Sequence, residues 1–174
     1  ILSIGRFSKE KNFTDILNSI NLLDKDIKNQ TNLVLVGRGP EKDELQKMSR
    51  KFKIKTKFIF YNENNIHKIF KYSHIYINSS HFEGFPNAVV DAINNNLPII
   101  SSKSHGGINE ILLNGRGGTF YNQNNYSELS QKILWVKSNY KKCQRKNKLA
   151  KKYISRFTNI NNQKFEKNID KLFK

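Results

Sequence analysis

The sequence predicts an α/β fold: a doubly wound, Rossmann-like parallel six-stranded sheet flanked by helices on both faces. Three observations predict it. Short, β-branched and nearly unbroken apolar runs recur along the chain, as is typical of strands buried on both faces. Helical patterns separate these runs at the spacing that parallel pairing requires. The 174 residues suffice for one core, and no linker or internal repeat divides them, so a single domain is expected.

Six segments are predicted as strands because they are short, apolar and rich in β-branched residues. In chain order they are Ile1–Ile4, Leu33–Val36, Phe58–Tyr61, Ile75–Asn78, Pro98–Ser101 and Gly118–Tyr121. The helices predicted between them cover residues 12–24, 40–52, 64–72, 87–96 and 125–138. Residues 1–139 thus form the core, and residues 140–174 add two basic amphipathic helices, at 140–156 and 160–173.

Local signals support these helices. In the first one, Leu17, Ile20 and Leu23 recur at helical spacing, and their expected role is in the core. Pro40 and Pro86 fit the first turn of the second and fourth helices, where a missing N–H is no loss.

The net charge of +17 raises the question of a nucleic-acid partner. Lysine is spread over the whole chain together with abundant Asn and Ile, which indicates an AT-rich genome rather than a binding surface. Aromatic residues do not alternate with basic ones, as they would in a base-stacking surface. About two-thirds of the excess charge is therefore assigned to a solvated surface, and the rest is available to an anionic substrate or anionic lipid headgroups.

Other features of the sequence bear on the cellular location of the protein. No apolar run is long enough to cross a bilayer, and nothing resembles a signal peptide. The single cysteine, Cys143, cannot form a disulfide within the chain, and it favours a cytoplasmic location. Because the chain opens directly on the apolar run Ile1–Ile4 and its only Met is Met48, we expect a domain of a longer protein.

Loops with glycine and charge follow four of the predicted strands. They cover residues 5–13, 37–41, 79–86 and 101–111. In sheets of this kind, ligands bind beyond the carboxyl ends of the strands, where these four loops meet. One such loop is explained by turn chemistry alone, whereas four at one edge predict a binding site.

The segment Glu83–Asp91 is the most informative part of this edge. Its proline-led helix start would leave the N–H groups of residues 85, 87 and 88 pointing at a ligand, and such a helix end favours anions. Asp91 lies about two helical turns inside, so the two carboxylates should contact different parts of one elongated ligand. A diphosphate flanked by two hydroxyl-rich rings, as in a sugar nucleotide, fits that description.

With these motifs the chain resembles the C-terminal, donor-binding half of the retaining glycosyltransferases of GT-B architecture, specifically their large fourth family. Three motifs carry the resemblance: Gly-Arg-Phe-x-x-x-Lys-x-Phe at residues 5–13, Glu-Gly-Phe-Pro-Asn at 83–87, and Gly-Gly-Ile-x-Glu-Ile at 106–111. The resemblance implies a UDP- or GDP-sugar as donor, no metal and no other cofactor. It also implies a separate N-terminal domain that binds a glycan or lipid-linked acceptor, as in cell-surface polysaccharide synthesis.

By this resemblance, Gly5, Arg6 and Lys11 lie at the diphosphate. Fixed cations there would stabilise the charge of the leaving nucleoside diphosphate without a metal. Glu83 is expected near the hydroxyls of the donor sugar and the reacting face.

Further contacts with the donor are implied for residues in the other loops. They are the backbone of Gly84, Phe85, Pro86 and Asn87, the Asp91 carboxylate at the ribose, Gly106, Gly107 and Glu110 in a loop closing over the donor, and Tyr61 and Asn62 beside the base. The two glycines would permit close approach of the backbone to phosphate. Glu110 is equally explained as a first-turn acid at a helix start.

Two positions depart from the family pattern. Asp91 stands where Glu is usual, which shortens the reach to the ribose hydroxyls, and Arg38 stands where Asp is usual. Arg38 is interpreted either as ordinary surface charge or as a cation near the nucleotide. These departures are the only hints of a non-catalytic module that keeps the fold.

Two alternatives from other classes receive less support. A basic nucleic-acid-binding domain would bind with an affinity that falls steeply with salt, but none of the familiar reading motifs is present. An epimerase of similar architecture would show a His and Glu pattern that is not evident. His81 and His105 have no visible carboxylate partner, and no Cys/His cluster has metal-ligand spacing.

The function expected from the resemblance is donor binding. We expect this chain alone to bind a nucleotide weakly and to transfer no sugar.

Overall fold

The structure, a computed structural model, describes residues 1–61 and 63–155. Within these ranges six strands form one parallel sheet, and two strands of two residues form a second, minor sheet. The strands are β1 (Leu2–Ile4), β2 (Asn32–Val36), β3 (Lys55–Ile59), β4 (Tyr76–Asn78), β5 (Phe82–Glu83), β6 (Ile99–Ser102), β7 (His105–Gly106) and β8 (Thr119–Tyr121).

The helices fill the connections between the strands. They are α1 (Phe13–Asn21), α2 (Lys25–Gln30), α3 (Lys42–Lys51), α4 (Glu63–Lys71), α5 (Asn87–Asn94), α6 (Ile108–Ile111), α7 (Tyr126–Ser138) and α8 (residues 140–155). Short 3₁₀ turns at Lys9–Lys11 and Leu113–Gly115 complete the described elements.

The strand order of the main sheet is β3-β2-β1-β4-β6-β8. From β1 the chain moves outward through β2 to β3, returns to β4 on the other side of β1, and then moves outward again to β8. The order therefore reverses between β1 and β4, and the crevice outside their carboxyl ends is the usual ligand position in such a sheet. The predicted doubly wound parallel sheet is confirmed.

The core has one apolar layer on each face of the sheet. Consecutive strand residues point to opposite faces, so Tyr76 packs in one layer and Ile77 in the other, and Ile99 and Ile100 divide in the same way. Helices α1, α3 and α7 cover the face of Ile77, whereas α4, α5 and α6 cover the face of Tyr76. Leu17, Ile20 and Leu23 are buried, as their spacing predicts.

Strand β3 lies at an edge of the sheet and begins three residues earlier than predicted. Its pairing with all of β2, from Asn32 opposite Lys55 to Val36 opposite Ile59, sets its length. Lys55 and Lys57 are exposed on this edge, and these polar residues interrupt the apolar run by which a strand is predicted. Lysines on an edge strand also discourage pairing with other chains.

Some short elements are absent from the prediction. The predicted helix 12–24 ends at Asn21, and α2 follows it without a single buried residue, so no apolar periodicity marks it. The paired strands β5 and β7 are two residues long, below the length at which alternation can be recognised. The predicted helix 160–173 lies outside the described residues.

Helix α8 packs along the amino-terminal edge of the sheet. Asn147 Nδ2 donates to the Leu97 carbonyl oxygen at 2.6 Å, just before β6, and Lys146 Nζ donates to the carbonyl oxygens of Gly115 and Gly118, just before β8. The basic helix therefore lies at the end of the sheet opposite the crevice. None of the helices in the described part of the chain is both long and apolar enough to cross a membrane.

Candidate functional site

Two adjoining clefts open at the carboxyl ends of the central strands. The larger, of about 600 Å³, spans the ends of β1, β2 and β3, and the smaller, of about 220 Å³, spans β1, β4 and the start of α5. Ile4 and Gly5 line both clefts. An elongated ligand can therefore pass from one cleft to the other across Gly5.

The loop after β1 is held by its backbone and by one buried ring. The Gly5 N–H donates to the Val36 carbonyl oxygen at 3.0 Å, and the Phe7 N–H donates to the Arg38 carbonyl oxygen at 2.9 Å. The Phe7 ring is fully buried and packs edge-to-face against Phe13, with ring centroids 5.4 Å apart. Between these anchors the Arg6 side chain is exposed and lines the larger cleft.

Gly37 is required where the loops after β1 and β2 touch. Its φ is +149°, and a Cβ at this position would lie 1.9 Å from the Gly5 carbonyl oxygen. Any side chain would therefore separate the two loops. The sequence pattern Gly-Arg-Gly-Pro has its structural reason in this close approach.

Lys11 and Glu83 form an ion pair in the smaller cleft. Lys11 Nζ lies 2.5 Å from Glu83 Oε1, and the two side chains are 26% and 13% exposed. The methylene chain of Lys11 runs beside Gly5, where a Cβ would meet its Cδ at 3.4 Å. The resemblance assigns these residues to different parts of a donor, and the structure places them in direct contact.

The Glu83 carboxylate is supported by buried polar groups that the sequence interpretation misses. Ser80 Oγ lies 2.6 Å from Glu83 Oε1 and 3.0 Å from Asn78 Oδ1. Ser102 Oγ donates to the Ser80 carbonyl oxygen at 2.5 Å. The available signal is the run of Ser and Asn at the ends of two otherwise apolar strands. Buried polar groups of this kind persist when they are hydrogen-bonded to one another.

The backbone around Lys11 is fixed by the same segment. Ser79 Oγ donates to the Lys11 carbonyl oxygen at 2.7 Å, and the His81 N–H donates to the Glu10 carbonyl oxygen at 2.8 Å. The loops after β1 and β4 therefore hold the cation and the carboxylate as one unit.

The start of α5 differs in detail from the prediction. Pro86 immediately precedes the helix, whose first residue is Asn87. The Asn87 N–H donates to the Phe85 carbonyl oxygen at 3.0 Å, so the expectation that this N–H is free for a ligand is wrong. Phe85, Pro86 and Asn87 nevertheless line the smaller cleft, and Phe85 is 64% exposed.

Gly106 and Gly107 pack against the backbone of β5. A Cβ on Gly106, whose φ is +107°, would lie 1.7 Å from the Glu83 carbonyl oxygen. The Gly107 N–H donates to the carbonyl oxygens of Glu83 and Gly84. These glycines allow β7 to lie close to β5, the strand that ends at Glu83. From the sequence they are instead expected to allow the backbone to lie close to phosphate.

The other predicted residues divide between the site and its surroundings. Tyr61 is 45% exposed and lines the larger cleft. Asp91 is exposed on α5 and lines neither cleft. Its carboxyl group is still partly desolvated by its surroundings, which raises its pKa, and the nearby His67 opposes the shift. Glu110 accepts a hydrogen bond from the Tyr153 hydroxyl of α8 at 3.2 Å. Asn62 lies outside the described residues.

A buried carboxylate lies behind the Lys11 loop. Asp15 is 5% exposed, and burial raises the pKa of its carboxyl, a shift that the Asn12 side chain, the His81 charge and the Asn124 N–H oppose. The buried Tyr121 hydroxyl lies beside it. His81 Nε2 lies 3.0 Å from Asn124 Oδ1, which also accepts from Asn12 Nδ2 at 3.3 Å. His81 thus has a partner in the neighbouring loop, and its interpretation as non-catalytic stays a prediction.

Among residues 1–61 and 63–155, no group of three His, Cys, Asp or Glu side chains is arranged to hold a metal ion.

Comparisons with known proteins give consistent matches. The model of the family described as "Glycosyl transferases group 1" matches residues 1–153. An uncharacterized glycosyltransferase of Methanocaldococcus jannaschii is 30% identical over 112 residues, which are 64% of this chain and 27% of that protein. The N-acetylgalactosamine-N,N'-diacetylbacillosaminyl-diphospho-undecaprenol 4-alpha-N-acetylgalactosaminyltransferase of Campylobacter jejuni is 26% identical over 132 residues, 75% of this chain and 35% of that enzyme.

Among solved structures, Anabaena HepE in complex with UDP and glucose matches with a TM-score of 0.82 and 20% identity, over 97% of this chain and 48% of that one. At this identity the likeness shows the fold. The chain spans 27% and 35% of the lengths of the two curated relatives.

Proposed function

Because the chain belongs to the group 1 glycosyltransferases, we propose that it is the donor-binding half of a retaining, metal-independent glycosyltransferase. Its donor would be a UDP- or GDP-sugar, and its acceptor a glycan or a lipid-linked sugar in cell-surface polysaccharide synthesis. The acceptor would bind to a part of the enzyme outside this chain, in the cytoplasm.

One observation carries the proposal: two clefts share Gly5, and cationic side chains line both of them. Arg6 lines the larger cleft, and Lys11 lies with Glu83 in the smaller one. Because both cations follow β1, a diphosphate lying over Gly5 would be within reach of each. A nucleoside then extends into the larger cleft and a sugar into the smaller, so the two volumes match the two ends of a sugar nucleotide.

In the proposed reaction the protein contributes position and charge. Negative charge grows on the diphosphate as it leaves, and fixed cations stabilise that charge. Arg6 can contact two phosphate oxygens at once, while Lys11 acts as a point charge. Lys11 would share its charge between the diphosphate and Glu83 Oε1, and the other carboxylate oxygen of Glu83 could accept a hydrogen bond from a sugar hydroxyl. The acceptor would attack from the face that the diphosphate leaves.

The names of similar proteins support the substrate classes in this proposal. The Campylobacter relative is named for transfer to a sugar linked to diphospho-undecaprenol. The Anabaena structure was determined with UDP and glucose. A peripheral membrane contact through the basic residues of α8 would lie at the opposite edge of the sheet from the clefts.

Titration calorimetry of the chain with UDP, GDP and ADP tests donor binding. We expect weak but measurable binding of at least one nucleotide. Lys11→Ala should weaken this binding about tenfold, because it removes a charged contact to phosphate. Lys9→Ala removes the same charge from an exposed site two residues away and should change it less than about twofold.

Two results would contradict the proposal. One is the absence of binding heat from every nucleotide with folded protein. The other is an equal loss of affinity in the Lys9 and Lys11 variants, which would indicate attraction by net charge alone. Sugar transfer is expected only from a longer protein that also binds the acceptor, and a panel of sugar nucleotides assayed with that protein would identify the donor.

A further inference from the structure

The strand order fixes the direction of a donor along the edge of the sheet. If the sugar lies at β4 and α5 and the diphosphate at β1, as the proposed function requires, the nucleoside must lie toward β2 and β3. Neighbouring strands are about 4.8 Å apart, so the end of β3 is about 10 Å from β1. The base therefore falls near the residues that follow β2 and β3, which are Arg38 and Tyr61.

Backbone hydrogen bonds fix the position of Arg38. Its carbonyl oxygen accepts from the Phe7 N–H at 2.9 Å, and the N–H of the preceding residue, Gly37, donates to the Ile59 carbonyl oxygen at 2.8 Å. The loop after β1 and the end of β3 thus fix the backbone on both sides of Arg38. Its backbone cannot shift without disturbing the strands that form the cleft.

The Arg38 guanidinium lies over an aromatic ring. Its Cζ is 5.5 Å from the centroid of Phe60, which is itself 64% exposed. Stacking of a planar guanidinium on a ring restricts its orientation. The N–H groups on its edge remain available to a partner in the larger cleft, which Arg38 also lines.

The side chains that line the larger cleft favour one class of base. A guanidinium offers only hydrogen-bond donors. Uracil and guanine present carbonyl oxygens to such donors, whereas adenine and cytosine present an amino group where these bases have a carbonyl. Among the residues that the structure describes, those lining the larger cleft include two arginines and neither Asp nor Glu, so no carboxylate among them can accept from an amino group.

We propose that Arg38 is a specificity-determining residue that selects an oxo-base, uracil or guanine, in the donor nucleotide. This inference rests on the proposed function. It gives Arg38 a role at the base, distinct from that of Arg6 at the diphosphate.

The test is titration of the wild-type chain and two arginine variants with UDP, GDP, ADP and CDP. Wild type should bind UDP or GDP more tightly than both ADP and CDP. Arg38→Ala should weaken the preferred nucleotide about five- to tenfold, the lower range for a bidentate contact with a base, and change ADP and CDP less than about twofold. Arg6→Ala is the matched control, because it removes the same group from the diphosphate end and should weaken all four equally.

Arg38→Lys separates charge from geometry. It keeps the positive charge but loses the planar fork, so we expect the base preference to shrink as it does in Arg38→Ala. Binding of all four nucleotides with equal affinity by wild type would overturn the inference and leave donor binding intact. So would an equal loss for all four in Arg38→Ala, or a full preference in Arg38→Lys. Failure of every nucleotide to bind would remove the proposed function and this inference with it.

Discussion

At the scale of single residues, Glu83 depends on contacts from three directions. Lys11 neutralises its carboxylate, Ser80 supports the same oxygen, and its backbone carbonyl lies against Gly106 and Gly107. A change at any of these neighbours should therefore move the carboxylate as well as weaken the fold.

Gly106→Ala tests that dependence. The new Cβ would lie 1.7 Å from the Glu83 carbonyl oxygen, at a φ of +107° that residues other than glycine rarely adopt. We expect a loss of about 1–3 kcal/mol in the free energy of unfolding together with weaker UDP binding. Urea unfolding and titration calorimetry measure the two effects.

Gly84→Ala is the control for this substitution. Among the described residues, no atom would lie within 4 Å of a Cβ at Gly84, so the free energy of unfolding of this variant should stay close to that of wild type. Equal stability of the two variants would show that β7 does not need to approach β5 as closely as the structure has it.

At the scale of elements, the corner where α1, β8 and the loop before α7 meet is built around one carboxyl group. Asp15 lies on α1, Tyr121 ends β8, and Asn124 lies in the loop. His81 reaches the same loop through Asn124, which links the corner to the β4 side of the smaller cleft. The elements behind Lys11 are thereby joined through a group that can change its charge.

The pH dependence of stability should reveal this group. Burial raises the pKa of the Asp15 carboxyl, so the folded state holds its proton more tightly than the unfolded state does. Stability is then lost as pH rises from the ordinary Asp pKa of about 4 through the raised one. Asp15→Asn cannot ionise, so the variant should gain stability relative to wild type across this interval, as measured by urea unfolding at a series of pH values.

Asp26→Asn provides the comparison, because it removes the same charge from an exposed position on α2. It should leave the pH dependence of wild type unchanged. A stability difference between wild type and Asp15→Asn that is constant with pH, or that changes in the opposite direction, would show that the Asp15 corner does not titrate as described.

At the scale of the whole molecule, positive charge and binding clefts are separate features. The net charge is +17, and lysines occur on the β3 edge and on α8 as well as beside the clefts. Such a surface attracts any polyanion through released counterions, without specificity.

Salt should therefore distinguish the two kinds of binding. We expect affinity for a labelled DNA duplex to fall by about a thousandfold or more between 50 and 200 mM salt, and to change in Arg6→Ala by no more than the loss of one charge. UDP binding should depend on salt much less and should require Arg6. Fluorescence anisotropy and calorimetry measure these affinities. Displacement of DNA by UDP would instead indicate a nucleic-acid site in the clefts.

Much of the architecture can be predicted from the sequence because strands and helices of ordinary length leave periodic patterns. The predicted and observed bounds of β2, β4, β6 and β8 differ by one residue at most. β3 is misplaced because its exposed lysines interrupt the apolar pattern, while its pairing with β2 decides where it begins. Of the site, Arg6 in the larger cleft, and Lys11 and Glu83 in the smaller one, are named from motifs alone, and Tyr61 is named from its place after the third predicted strand.

By itself the sequence determined the fold class and the loops that carry the site, since both depend on local periodicity and on glycine, proline and charge at fixed spacing. Only the tertiary structure decided which of these groups touch. It paired Lys11 with Glu83 across 72 positions of sequence, placed Gly106 against the Glu83 backbone, and set Arg38 over Phe60. Such contacts depend on which strands become neighbours, and strand order is a property of the whole sheet rather than of any segment in it.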